Sequence, residues 1–225
     1  MGLYLIGSGA MGGFDPRASD VDIAAVVAGP LRAYQKQRIV DALSHPALPC
    51  PVRKLELVVY SAQAVAGPSP TLLWELNLNT GPEVGVDASF DPSTEPEHWF
   101  ALDVAMAREH ARALLGPPPG AVFGEIPRER VLRALLGSIA WHRRNDPQGA
   151  QSVLSACRAW RWVEDGTWSP KPEAARWARA RTEDPALVEA ALAAREGNRA
   201  ESLDAQAVAR FVTRVERHIR RSLGG

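Results

Sequence analysis

A change of apolar periodicity near residue 97 constrains this chain more than any other feature. Before it, apolar residues come in short runs bounded by turn formers; after it, they recur at helical spacing to the C-terminus. Leu3-Tyr4-Leu5-Ile6 is one such run, ending at Gly7. Val21 to Val27 is a second, closed by Gly29-Pro30, and residues 54–60 form a third. Each has the length and content of a buried strand. Between the second and third, Leu31, Tyr34, Ile39 and Leu43 fall roughly on one side of a helix. Residues 61–97 are the least legible, interrupted by Gly67, Pro68, Pro70, Gly81, Pro82, Gly85, Pro92 and Pro96 around an apolar island at Leu72-Leu73-Trp74.

Beyond the change, the spacing predicts helices over 98–115, 128–144, 150–164, 172–181 and 185–196, with Pro or Gly between them. The run Gly116-Pro117-Pro118-Pro119 is the clearest stop. In the last helix, Val208, Phe211, Val212, Val215 and Ile219 make one apolar stripe, and Arg214, Arg217, Arg220 and Arg221 fall mostly off it, as a solvated face would. The expectation is an α+β chain: an N-terminal domain over 1–97 with a small sheet and helices, and an all-α domain over 98–225. A length of 225 residues accommodates two such cores.

Charge excludes some partners. The 26 basic and 26 acidic side chains balance, which argues against a surface built for nucleic-acid phosphates or anionic lipid. Cys50 and Cys157 are too few for a disulfide framework or a zinc site and read as small core residues. No run nears the roughly 20 apolar residues of a bilayer span, and the N-terminus lacks a signal-peptide pattern. A cytoplasmic monomer is therefore expected, with no nucleic-acid or membrane partner.

The chemistry centres on two short motifs. Gly7-Ser8 closes the first strand, and Asp20-Val21-Asp22 opens the second after a loop rich in small residues, Gly9 to Ser19. Glycines let backbone N–H groups approach a phosphate, and the Ser8 hydroxyl can donate to it. Side chains at i and i+2 of a strand share a face, so Asp20 and Asp22 point the same way. Adjacent carboxylates repel unless a cation lies between them, and Mg²⁺ suits that place because it takes carboxylate oxygens and keeps positions for phosphate and water. Glu56, between Leu55 and Leu57, faces away from both and could serve as a third metal ligand or as a general base.

The order Gly-Ser, gap, Asp-x-Asp and a later strand acid resembles the nucleotidyltransferase superfamily related to DNA polymerase beta. A closer resemblance, to the aminoglycoside (3″)(9) adenylyltransferases, extends over Tyr4 to Ser8, Gly12-Gly13-Phe14, Ser19 to Asp22, the segment 107–117 and the segment 153–160. Those enzymes adenylylate streptomycin and spectinomycin, and pair a nucleotidyltransferase domain with a helical bundle, the site lying between the two. The resemblance implies ATP as co-substrate and Mg²⁺ on Asp20 and Asp22. It further implies Gly7, Ser8 and Ser19 against the triphosphate, and Glu56 as catalytic base. Arg158 and Lys171 fall on family cations near the phosphates, and Asp146 on an acid of the acceptor side. Read without the resemblance, Arg158 is a helix-face ion-pair partner and Lys171 a surface lysine.

The family usually carries some two dozen residues before the first strand, and its streptomycin-type members have a tryptophan in the region of Gly81-Pro82 and acids before the Arg158 helix. Here the first strand begins beside Met1 and only Asp146 keeps an acid in that stretch. Glu75, Glu83, Asp87, Asp91, Glu95 and Glu97 crowd the illegible segment, either as an acidic rim for a cationic acceptor or as a solvated loop. The tryptophans read as core. Two rival readings stay open: a nucleotidyltransferase with another acceptor, protein or metabolite, and a non-catalytic nucleotide-binding protein on the same fold.

Overall fold

The computed structural model describes residues 1–67, 73–197 and 202–224; Pro68, Pro70 and Leu72 lie outside them. The chain is α+β and forms two compact units, Met1–Pro127 and Arg128–Gly225.

The first unit is built on a six-stranded mixed sheet. Its strands are β1 (Gly2–Leu5), β2 (Val21–Val27), β3 (Leu55–Ser61), β4 (Trp74–Gly81), β5 (Gly85–Ser89) and β6 (Arg112–Leu115), in the order β5-β4-β3-β2-β1-β6. β2 and β3 run parallel, and every other neighbouring pair is antiparallel. The parallel pair needs a crossover, which α2 (Ala33–Leu43) supplies. Val40 packs with Leu57, Val59, Leu76 and Leu78, and Ile23, Ala25, Val27, Ile39 and Leu43 close around them. Each fully buried leucine there stabilises by about 1.5–3 kcal/mol relative to exposure. On the opposite face Ala24, Val26, Val58 and Tyr60 are buried, and Trp74 meets Phe100 of α4 (Glu97–His110) with ring centroids 5.5 Å apart.

A bulge explains how Trp74 reaches that face. Val59 stands opposite Leu76 but Tyr60 opposite Trp74, so the register slips by one residue and turns Trp74 away from Leu76. The hairpin of β4 and β5 fills much of the segment that was least legible in sequence.

The helix expected over 98–115 ends at His110, and Arg112–Leu115 is a strand. Ala, Leu and Leu are good helix formers, but here the backbone pairs with Leu3, Tyr4 and Leu5 at the sheet edge, and tertiary pairing overrides propensity. Leu114 and Leu115 are exposed, so their place in a helical stripe was coincidental. Because α4 and β6 complete the sheet unit, the division falls after Pro127 and not near residue 97.

The second unit holds α5 (Arg128–Asn145), α6 (Ala150–Asp165), α7 (Lys171–Arg179), α8 (Pro185–Glu196) and α9 (Ala205–Leu223). α6 packs against the other four and is its apolar axis, with Val153, Leu154, Ala156 and Cys157 wholly buried. The α9 stripe from Val208 to Ile219 is buried as expected. Its basic face is more than a solvated surface: Arg214 pairs with Glu183, Arg220 with Glu216, and Arg143 of α5 also reaches Glu216. No helix among the described residues is long and apolar enough to cross a membrane.

Candidate active site

Parallel pairing of β2 with β3 places Val21 beside Leu55 and Asp22 beside Glu56. The Val21 N–H donates to the Lys54 carbonyl at 2.9 Å, which carries the alignment back one residue and sets Asp20 next to Lys54. Alternation along each strand then gathers Asp20, Asp22, Lys54 and Glu56 at one end of the face that bears Ala24 and Val58. The Lys54 Nζ lies 3.5 Å from Asp20 Oδ2 and pairs with Glu56 Oε1. Lys54 escaped the sequence reading, although its position two residues before Glu56 was the available signal.

Gly7 follows β1 with φ +58°, and its missing side chain makes room for Asp22: a Cβ there would run into the Asp22 carboxylate. The Gly-Ser motif thus has a steric reason of its own. Gly7 and Ser8 lie in one helical turn, α1 (Gly7–Ala10), tied to β2 by the Ile6 N–H donating to the Asp22 carbonyl at 2.9 Å. Ser19 is buried, and its Oγ accepts the Asp15 N–H at 3.1 Å, so it closes the loop that delivers Asp20.

Electrostatics in this corner are unbalanced. Burial, and then the charges of Glu56, Asp103 and Asp20, push the Asp22 carboxyl well above the usual carboxylate range, against the pull of Lys54. Burial also raises Asp20, with Lys54 opposing and Glu56 adding to the rise. Burial works to lower the Lys54 ammonium, but Glu56 and Asp20 outweigh it and the net shift is upward. Asp20 Oδ1 is buried without a hydrogen-bond partner. An orphaned carboxylate oxygen beside a second, strongly perturbed carboxylate is the environment a divalent cation relieves. Two aspartates fit Mg²⁺, which takes few protein ligands and completes its shell with phosphate and water. No group of three or more His, Cys, Asp or Glu among the described residues is gathered as a metal site, and Glu56, paired with Lys54, has the chemistry of either a ligand or a base.

Two further residues border the cluster. Asp103 of α4 acts by its charge on both Asp22 and Tyr60, and the Tyr60 hydroxyl is buried without a hydrogen-bond partner. The sequence signal for Asp103 was an acid amid Phe100, Ala101, Leu102, Val104 and Ala105, all buried. Across the sheet, Asp22 faces Glu56, Glu56 faces Asn79, and Asn79 faces Asp87, a polar row of four strands.

That row sorts the acids of the 75–97 segment. Glu75 is engaged by Lys36 at 3.1 Å and Glu83 by Arg53 at 3.2 Å. Asp91 caps a short 3₁₀ turn, where hydrogen bonds from Ser93 hold its carboxyl below its ordinary value. Asp87 stays in the row, and burial together with the Asp87 charge raises Glu95.

In the helical unit, the Asp146 carboxylate accepts the Ser152 N–H at 3.2 Å in the first turn of α6. A Cβ on Gly149 would collide with that carboxylate, so here too a glycine makes room for an aspartate. Burial raises the Asp146 carboxyl, while the Ser152 hydrogen bonds and the Lys171 charge oppose the rise. The Lys171 Nζ donates to Gln151 Oε1 at 2.7 Å. Gln151 and Arg158 are two turns apart on one face of α6. Asp146, Gln151, Lys171 and Arg158 therefore share one region of this unit. Of the tryptophans, Trp74, Trp162 and Trp168 are core, and Trp162 stacks on Trp168 at 5.2 Å.

Comparison with known proteins agrees with this organisation. Residues 121–218 match the family described as aminoglycoside adenylyltransferase, C-terminal domain. Aminoglycoside (3'') (9) adenylyltransferases of Klebsiella pneumoniae and Escherichia coli are each 27% identical over 186 residues, covering 79% of this chain and 70% of the relative. The fold is similar to that of spectinomycin adenyltransferase AAD(9) from Enterococcus faecialis, solved with ATP and spectinomycin: the TM-score is 0.68 at 18% identity, over 98% of this chain and 91% of that one. Sheet, carboxylate corner and relatives together define an enzyme of the nucleotidyltransferase class. Within that class it is aminoglycoside adenylyltransferase-like, with the family match in the helical unit and the carboxylates in the sheet unit.

Proposed function

We propose that the chain transfers AMP from Mg-ATP to a hydroxyl of an aminoglycoside or aminocyclitol of the spectinomycin or streptomycin type, releasing pyrophosphate. The observation that carries this reading is the alignment of Asp20 and Asp22 with Glu56 across a parallel strand pair, beside an orphaned Asp20 oxygen. Asp20 and Asp22 would hold Mg²⁺, whose charge draws electron density from the triphosphate. Ser8, Ser19 and the backbone of the Gly7 turn suit its anionic oxygens, and Arg158 and Lys171 are cations of the kind that stabilise charge developing on the leaving pyrophosphate.

Glu56 is the proposed base. Its Oε1 is paired with Lys54, and the carboxylate still has lone pairs to accept the acceptor's hydroxyl proton. The acceptor oxygen then bonds to the α-phosphorus as the bond to the β-phosphoryl oxygen breaks. Asp87 and Glu95, beyond Asn79, suit a cationic acceptor, and Asp146 is a candidate for the same duty.

The test is pyrophosphate release with spectinomycin and streptomycin offered separately, for the unaltered chain and for Glu56→Gln. The expected result is turnover with at least one of them, abolished in Glu56→Gln while ATP affinity stays within about threefold, because the substitution removes a proton acceptor and not a phosphate contact. Sustained turnover in Glu56→Gln excludes Glu56 as the base. ATP binding without turnover on either drug rejects these acceptors.

A further inference from the structure

Three acids converge where β2 and β3 begin, and the ammonium among them is that of Lys54, the residue just before the strand of Glu56. We propose that Lys54 is a positioning residue that holds the metal-free carboxylate corner together by standing in for part of the cation's charge, so that divalent metal binds in competition with it. This rests on the reading of Asp20 and Asp22 as the Mg²⁺ pair.

The geometry gives the reason. Lys54 sits at i−2 from Glu56 and next to Asp20 across the parallel pair, so one ammonium bridges the two strands: Nζ is 3.5 Å from Asp20 Oδ2 and paired with Glu56 Oε1. Lys54 and Asp20 are largely enclosed, with 21% and 25% of their side chains exposed, and Glu56 is more open at 38%, so water screens the first pair less than the second. Arg53, the adjacent cation, is committed to Glu83 and to the Ala18 carbonyl. The ammonium engages only Oδ2 of Asp20, leaving Oδ1 buried without a hydrogen bond. Lys54 thus offsets the repulsion incompletely. Metal arriving at Asp20 and Asp22 meets a site already partly neutralised, and loses the affinity that a bare pair would have.

A lysine placed to grip the triphosphate would behave oppositely, because its removal weakens nucleotide binding. Lys54→Met, Lys54→Gln and Lys54→Arg separate the two roles. Mg²⁺ is titrated calorimetrically into each protein with α,β-methylene-ATP present, which cannot transfer AMP, and melting is followed in EDTA and in Mg²⁺. The expected result is Mg²⁺ affinity tighter by roughly three- to tenfold in Lys54→Met and Lys54→Gln, the range one or two partly exposed ion pairs supply. Both should also show a larger rise of melting temperature on adding Mg²⁺, and Lys54→Arg no tightening. A damaged site does not bind metal more tightly, so tightening separates positioning from mere structural support. Should Lys54→Met fail to fold, Lys54→Gln carries the comparison. Unchanged or weakened Mg²⁺ affinity in the neutral variants, with the unaltered chain binding normally, overturns the role of Lys54 alone. Absence of any Mg²⁺ dependence in the unaltered chain overturns the metal pair and Lys54's role together.

Discussion

Gly7→Ala and Gly12→Ala form a matched pair that isolates the contact between the first turn and Asp22, the proposed metal ligand. Both glycines have positive φ, +58° and +77°, so alanine at either pays for a left-handed backbone, about 1–2 kcal/mol. They differ in what the new methyl meets. At Gly12 nothing lies within 4 Å, whereas at Gly7 a Cβ would stand 2.8 Å from Cγ and 3.1 Å from Cβ of Asp22. Relieving that clash means turning Asp22 off its rotamer or shifting the turn, which adds about 1–3 kcal/mol. At about 2–4 °C per kcal/mol for a chain of this size, Gly7→Ala should melt some 2–12 °C below Gly12→Ala. The displaced carboxylate should also weaken Mg²⁺-dependent nucleotide binding at least tenfold in Gly7→Ala, a loss of about 1.4 kcal/mol or more, and weaken it less in Gly12→Ala. Thermal melting and calorimetry on the two proteins check both effects. Equal melting temperatures and equal Mg-ATP affinities would refute the claim that Gly7 is glycine to seat Asp22.

Asp22→Asn should raise the metal-free melting temperature at neutral pH, because burial and the charges of Glu56, Asp103 and Asp20 disfavour the ionised carboxylate in the folded protein. The folded value lies above the unfolded one, so folding takes up protons and stability falls as pH rises from about 4 through the folded value. The advantage of Asn over Asp should therefore vanish below about pH 4, and an Asn variant that melts lower in EDTA at pH 7 contradicts the account. In the helical unit, Asp146→Ala removes the acceptor for the Ser152 N–H and should cost about 1 kcal/mol, as loss of a helix cap does. Asp146→Asn keeps that acceptor, so near-native melting with a raised KM for the drug would assign its charge to the acceptor. An unchanged KM leaves Asp146 a cap alone.

Local sequence was enough for the parts whose chemistry is local. The runs 3–6, 21–27 and 54–60 became strands because alternation and flanking turns declare them, and Asp20 and Asp22 share a face because strand geometry requires it. Most helices of the second unit were legible for the same reason, their apolar stripes recurring at 3.6 residues. Long-range partners were not legible. Leu114 and Leu115 continue a helical pattern in sequence, and only the open edge of β1 makes them a strand. The alternation in Trp74-Glu75-Leu76 would put Trp74 with Leu76, and only the bulge opposite Val59 and Tyr60 turns it toward Phe100.

The candidate site divides along the same line. Glu56 could be proposed from its flanking leucines, but its place beside Asp22 depended on the register of the parallel pair. The placing of Lys54 and Asp103 beside the aspartates was not legible, because one depends on the register of β2 with β3 and the other on a helix laid over the sheet. The sequence by itself determined which residues offer carboxylates and on which strand face they lie, since that is a property of side chain and strand period. The tertiary structure alone decided which charges face one another, because Coulomb interactions and desolvation depend on distances between residues that chain order does not set.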